Sequence, residues 1–133
     1  MNMMRKAFLI ILLFPGLLFA GAGEKQDVWK PFRFFIGKWN GEGKGCPGTC
    51  QLKAESKFIF DGKFLEIKGK AVFKPQESNP KGRVHEDLGF ISYNQNRKKF
   101  VLRQFHAEGL VTDYVLDSIS PDEKTFTFLS ENI

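Results

Sequence analysis

The side chains best suited to acid–base or metal chemistry are the two histidines, His85 and His106. Neither lies at metal-ligand spacing from another histidine, a cysteine or a pair of carboxylates, which argues against a metal site built by the protein. His85 falls in a charged segment beside Glu86 and Asp87, where we expect a loop and a solvated, charge-paired side chain with no role in a site. His106 ends a predicted strand, where it either faces the mouth of a barrel or serves as a structural histidine.

Three further polar side chains lie on predicted strands. Arg103 has apolar neighbours on both sides, and if it were buried it would need a carboxylate or a ligand anion. Strand alternation places Arg103 opposite to His106, so at most one of them lines a cavity, and the sequence leaves open which face is interior. Tyr93 and Tyr114 carry hydroxyls that suit either ligand orientation or a position at a barrel rim.

Motifs that identify common enzymes are missing from the sequence. It contains no Gly-x-Ser-x-Gly, no His-Glu-x-x-His, no phosphate-binding loop and no Rossmann glycine pattern. Alternation predicts that Glu55, Glu66 and Asp113 face solvent. A binding protein therefore ranks above an enzyme, and a hydrolase or isomerase that uses a barrel cavity is the weaker alternative.

The first 22 residues have the order of a signal peptide. A basic start precedes the apolar stretch Ala7–Phe19, and small residues lead to a predicted cleavage site after Ala22. The apolar stretch is too short and too interrupted to predict a stable membrane anchor. We expect an exported, periplasmic or secreted protein with one domain, residues 23–133. The full-chain net charge of +5 is a modest excess, and we expect no nucleic-acid partner.

Two cysteines enclose the segment Cys46-Pro-Gly-Thr-Cys50. Three intervening residues differ from the two-residue spacing of redox motifs, and no further metal ligands lie nearby. Because export permits disulfides, we predict a Cys46–Cys50 bond across a Pro-Gly turn, with two free thiols as the alternative.

From Gly37 onward, apolar or small residues recur at every second position and turn residues interrupt them at short intervals, which predicts β structure throughout. Residues 29–36 are predicted to form a helical turn or plug. Asp61-Gly62 is the strongest hairpin signal, and the long loop 74–87 is expected to be the most mobile segment. The predicted strands are 38–44, 51–60, 63–73, 88–93, 99–106, 110–118 and a seventh from residue 125.

Alternation also predicts which side chains of the second and third strands face the core. They are Leu52, Ala54, Ser56, Phe58 and Phe60 from the second strand, and Leu65, Ile67, Gly69, Ala71 and Phe73 from the third. The predicted fold is all-β, an antiparallel meander that forms a barrel or a strongly curved half-barrel. Since the sequence stops almost inside a strand, we expect a barrel that is incomplete at its C-terminus. Either the chain has lost a natural C-terminal part, or strand one or a partner such as a second copy covers the open edge.

Two sets of motifs resemble known β-barrel families. Gly37-Lys-Trp39-Asn-Gly-Glu-Gly43 resembles the Gly-x-Trp opening of calycins, the superfamily of lipocalins and fatty-acid-binding proteins. Glu86-Asp-Leu-Gly-Phe-Ile-Ser-Tyr93, Phe100-Val-Leu-Arg-Gln-Phe-His-Ala-Glu-Gly109 and Tyr114-Val-Leu-Asp117 resemble the bacterial DUF1579 family, which is related to the nitrobindin-like haem-binding barrels. The resemblance covers about residue 32 to the end.

The resemblance implies a lipocalin-like or nitrobindin-like barrel of roughly ten strands. In the haem-binding relatives the axial histidine comes from the C-terminal part of the barrel, which no residue of this sequence matches. Haem is therefore a candidate cofactor by resemblance only, and the cofactor stays unknown. His106 is the one residue that we consider as a substitute ligand.

These observations predict an exported, non-enzymatic β-barrel that binds a small apolar or amphipathic ligand in an aromatic-lined cavity. The alternative is a structural or interaction domain of the cell envelope with a filled core and no ligand. The predicted ligand-binding residues are Trp39, Phe58, Arg103, His106 and Tyr114.

Overall fold

The computed structural model describes residues 26–45 and 48–132, so the predicted signal peptide and Cys46 lie outside the described residues. A 3-10 helix, Lys30–Phe35, precedes seven strands. The strands are β1 Gly37–Gly45, β2 Gly48–Ile59, β3 Phe64–Phe73, β4 Arg83–Asn94, β5 Lys99–His106, β6 Val111–Ile119 and β7 Phe126–Asn132. Within the described ranges, no helix has the length and apolar character needed to cross a bilayer.

The seven strands form a single antiparallel sheet in the order β1 to β7, so each strand pairs with its neighbours in sequence. The sheet curls into a half-barrel, which confirms the predicted all-β meander. In the described part of the chain, β1 and β7 are its two edges. The register confirms the predicted common face of β2 and β3, because Ala54 pairs with Gly69 and Phe58 with Leu65. We call this concave, core-bearing side the inner face.

The 3-10 helix closes one end of the inner face, as the predicted plug. Pro31 stands in its first turn, where the missing N–H costs no hydrogen bond. Phe32 is only 1% exposed and joins Leu65, Ile91 and Phe100 in the core. Its ring centroid lies 4.5 Å from that of Phe100 and 4.8 Å from that of Phe126, so the helix connects the middle of the sheet to β7.

Two side chains hold the end of this helix against the sheet. The Trp39 indole Nε1 donates a 2.8 Å hydrogen bond to the Phe35 carbonyl oxygen, and the buried Ser56 hydroxyl donates to the same oxygen. A carbonyl oxygen accepts two hydrogen bonds through its two lone pairs, so both donors are satisfied. The tryptophan of the Gly-x-Trp segment therefore fastens the plug to β1.

Three predicted boundaries differ from the structure. β2 begins at Gly48 rather than at Gln51, and β4 begins at Arg83 rather than at Leu88. Phe60 was predicted to face the core, but it lies in the hairpin loop with a φ of 50° and is mostly exposed. The left-handed conformation continues through Asp61 and Gly62, and it turns the Phe60 side chain out of the strand pattern.

The loop between β3 and β4 is shorter than predicted and is fastened at its centre. Gln76 and Asn79 pair through two backbone hydrogen bonds of 2.9 and 3.0 Å. The Gln76 side chain also accepts a 2.9 Å hydrogen bond from the backbone N–H of Thr49 and donates a 3.0 Å bond to the Thr49 carbonyl oxygen. The loop is therefore tied to β2 through Gln76.

Candidate functional site

The inner face divides into an apolar cavity and a polar open end. The cavity has a volume of about 380 Å³ and lies between the 3-10 helix, the strands β1 to β4, and β7. This volume is within the range of small-molecule pockets, about 300–1,000 Å³. Its lining is almost entirely hydrophobic, and the aromatic members are Phe32, Phe35, Trp39, Phe126 and Phe128.

Small residues on the inner face explain why side chains do not fill this cavity. Ala54, Gly41 and Gly69 place small side chains or none on the inner face beside Trp39. Trp39 is 40% exposed and Leu52 is 38% exposed although both line the cavity. The sheet thus leaves apolar surface uncovered at the centre of its concave side.

The open end carries a series of hydrogen-bonded side chains that we call the histidine relay: Glu108, His85, His106 and Thr112. The Glu108 carboxylate lies 2.9 Å from His85 Nδ1, and His85 Nε2 lies 3.2 Å from His106 Nδ1. His106 Nε2 lies 3.1 Å from the Thr112 hydroxyl. Arg83 donates a further hydrogen bond to Glu108.

The carboxylate fixes the direction of these hydrogen bonds when both rings are neutral. Ionised Glu108 only accepts, so His85 donates from Nδ1 and accepts at Nε2. His106 then donates from Nδ1 and accepts at Nε2 from the Thr112 hydroxyl. Hydroxyl, imidazole and orienting acid in series is also the pattern of an activated nucleophile. The relay is therefore able to pass a proton or to orient a polar ligand group.

The pKa of Glu108 is lowered from 4.5 to about 2, first by the hydrogen bond from His85 and second by that from Arg83. Both donors stabilise the ionised carboxylate. Because the folded-state pKa lies below the ordinary value, the ionised carboxylate stabilises the fold above pH 4.5, and this stabilisation is lost as the pH falls towards 2.

Glu108→Gln is accordingly expected to flatten the dependence of stability on pH in this acid range, because glutamine does not titrate. Urea unfolding midpoints measured at intervals between pH 4.5 and about pH 2 test this expectation. The matched control is Glu86→Gln, which removes a carboxylate on the outer face that is paired with Lys70 at 3.0 Å. If Glu108→Gln retains the full acid sensitivity of the unchanged protein, this carboxylate is not responsible.

The predicted ligand-binding residues occupy different places. Trp39 lines the cavity, and His106 belongs to the relay. Phe58 packs at the closed end, where its ring centroid lies 5.4 Å from that of Trp29. Tyr114 lies on the inner face of β6 opposite Leu102.

Arg103 lies on the outer face, outside the cavity. Its guanidinium donates two hydrogen bonds of 2.7 and 2.9 Å to the Asp113 carboxylate. Because the Arg103 side chain is 61% exposed, its charge stays in contact with water. The hydrogen bonds that Arg103 donates lower the pKa of Asp113. Strand alternation correctly separates Arg103 from His106, and the structure identifies the His106 side as the interior.

The expectation that His85 occupies a loop is wrong. His85 lies within β4, pairs with Ala71 of β3 and contacts His106 across the sheet. The missed signal was hairpin symmetry: β3 extends to Phe73, so an antiparallel partner of similar length must begin close after the turn at Gly82. Alternation from Arg83 then directs His85 and Asp87 inwards.

His106, the one residue considered as a substitute haem ligand, has no ring nitrogen free of contacts in the relay. Each ring has both nitrogens in contact with another member of the relay. A bond from His106 to haem iron would first have to break one of these contacts. Among the described residues, no group of three or more potential metal-ligating side chains is assembled.

A wider groove of about 810 Å³ crosses the outer face of β1 to β5. Its walls carry charges of both signs, and Lys70–Glu86 at 3.0 Å is one ion pair among them. Exposed charges of this kind are typical of the solvated face of an antiparallel sheet. The inner face is therefore the better candidate site.

Cys50 is buried on β2 opposite Gly43, whose missing side chain makes room for the Cys50 sulfur. A methyl carbon at Gly43 would lie 2.8 Å from that sulfur. Because Cys46 lies outside the described residues, the Cys46–Cys50 disulfide stays a prediction.

Comparison with known proteins found no family model, no curated protein and no solved structure that matches this chain. The resemblance to DUF1579 and the nitrobindin-like barrels therefore stays a prediction from the quoted motifs. The candidate site is therefore identified from the geometry of this chain's own residues.

Proposed function

We propose that the protein is an exported, non-enzymatic half-barrel whose inner face binds a small apolar or amphipathic ligand. The apolar cavity carries this proposal, because it exposes Trp39 and Leu52 at the centre of a concave surface. Burial of such surface by a ligand is favourable by about 25 cal/mol for each Å². Export is supported by the leader, residues 1–22.

An amphipathic ligand is favoured because polar groups stand next to the apolar cavity. Ala54 lines the cavity, and the same row of the sheet continues through Gly69 to Asp87 and His106. A few polar groups that fix the orientation of a mostly apolar ligand are the usual composition of a small-molecule site.

Filling the cavity is the direct test. Ala54→Phe places a ring between Trp39 and Gly69, and a neutral apolar fluorescent probe should then bind about tenfold more weakly. The estimate assumes that the probe loses about 60 Å² of apolar contact, or about 1.5 kcal/mol. Fluorescence titration of the purified protein and the variant measures the change.

The matched control is Ala107→Phe, since Ala107 is exposed in the turn after β5. This variant adds the same ring outside the apolar cavity and should bind the probe like the unchanged protein. Thermal unfolding of both variants establishes that they are folded. Failure of the unchanged protein to bind any apolar probe, or equal binding by folded Ala54→Phe, would support the filled structural domain instead.

A further inference from the structure

The Asp87 carboxylate is the least satisfied charged group on the inner face. Its side chain is only 19% exposed, and its single ionic contact in the described ranges is to His85 Nε2 at 3.8 Å. In the same ranges it accepts no hydrogen bond. A partly buried carboxylate without hydrogen-bond donors is unfavourable, so a ligand that supplies donors is stabilised there.

The charges around Asp87 leave it without a full cationic partner. Alternation places Arg83 and Asp87 on the inner face of β4, and the β5–β6 turn contributes Glu108. Arg83 and Glu108 neutralise each other through their ion pair. The facing positions on β3 and β5 are Gly69 and His106. Of the carboxylates and the guanidinium at the open end, Arg83 is paired with Glu108, and Asp87 has neither an arginine nor a lysine partner among the described residues.

Asp87 also leans towards the apolar cavity. A methyl carbon at Gly69 would lie 2.6 Å from Asp87 Oδ1, so the carboxylate covers the backbone of Gly69 on the neighbouring strand. Gly69 pairs in turn with Ala54, which lines the cavity. Neighbouring strands lie about 4.8 Å apart, so the carboxylate stands roughly one strand spacing from the apolar surface.

We propose that Asp87 binds the cationic head group of the ligand, an alkyl- or arylammonium whose apolar body occupies the cavity. This inference rests on the proposed function, since it names the class of ligand for the same cavity. An ammonium group supplies both the positive charge and the hydrogen-bond donors that Asp87 lacks. Gln104 and Thr112 share this face of β5 and β6 and offer further acceptor oxygens.

Matched probes separate this proposal from simple apolar binding. Two fluorescent probes with the same aromatic body, one ending in a primary ammonium and one in a hydroxyl, are titrated into the protein. We expect the ammonium probe to bind at least about tenfold more tightly, as a charge-assisted hydrogen bond implies. Asp87→Asn should remove this preference and leave the affinity of the hydroxyl probe nearly unchanged.

Asp113→Asn is the matched control, because it removes a carboxylate from the outer face and should preserve the preference. Gly69→Ala is a second variant that forces the Asp87 carboxylate to move, and it should reduce the preference if Asp87→Asn does not fold. Equal binding of both probes, or a preference that persists in folded Asp87→Asn, overturns the assignment of Asp87. Absence of binding by either probe would instead contradict the proposed function.

Discussion

Phe32→Ala is expected to lower the free energy of unfolding by about 3–5 kcal/mol, the range for removal of a fully buried phenylalanine. The ring is the centre of the plug and packs against Trp29, Phe100 and Phe126. Its removal leaves a void that the curved sheet cannot close without moving β7. Such a loss is a large fraction of the 5–15 kcal/mol that typically stabilises a domain.

Phe34→Ala is the matched control in the same helix. Phe34 is 46% exposed and contacts only Phe35 and Trp39 among the aromatic rings of the described chain. We expect a loss of about 1 kcal/mol or less, as for one exposed aromatic pair. Urea unfolding of both variants compares them directly. Similar losses for the two would contradict the assignment of the 3-10 helix as the plug.

Leu65→Ala is expected to cost about 2–5 kcal/mol, because Leu65 is completely buried on β3. It pairs with Phe58 on β2 and with Ile91 on β4, so its loss leaves a cavity beneath three strands. Urea unfolding monitored by circular dichroism measures this effect. The double variant with Phe32→Ala should be non-additive, since both residues belong to one cluster.

Leu129→Ala is the matched control for Leu65→Ala. Leu129 lies on β7 and is about half exposed, so its truncation should change stability by about 0.5 kcal/mol. If Leu65→Ala were equally mild, the core would not be centred on β3 and β4.

Much of the fold follows from alternation in the sequence. Strong period-two patterns in β2 and β3 predict that Ala54 and Gly69 lie on the same core-facing side, and Asp61-Gly62 marks the hairpin between the two strands. Residues typical of turns predict the start of a strand wrongly where they lie inside the strand. Gly48 and Arg83 look like loop residues because glycine and charged side chains surround them, yet the pairing with β1 and β3 extends as far as both positions, where Gly45 pairs with Gly48 and Phe73 with Arg83. Local propensity is weaker there than sheet pairing.

The candidate site was predictable only in part. Trp39 is recognisable from the Gly-x-Trp segment, but its cavity depends on the small residues that face it from other strands. The relay required the register between β4 and β5, which sets Asp87 opposite His106. A shift of one residue would turn His85 and Asp87 to solvent. Sequence spacing alone therefore could not bring His85 and His106 together.

The neighbour-to-neighbour order of the strands also has a kinetic consequence. Each hairpin closes a short loop, so the sheet itself has low contact order, and its assembly is fast for a β protein. The plug is different, because Phe32 reaches Phe100 and Phe126 far along the chain. We therefore expect docking of the plug to follow formation of the sheet. Stopped-flow kinetics of Phe32→Ala should show faster unfolding with little change in the folding rate. The docked plug therefore slows the unfolding of the half-barrel.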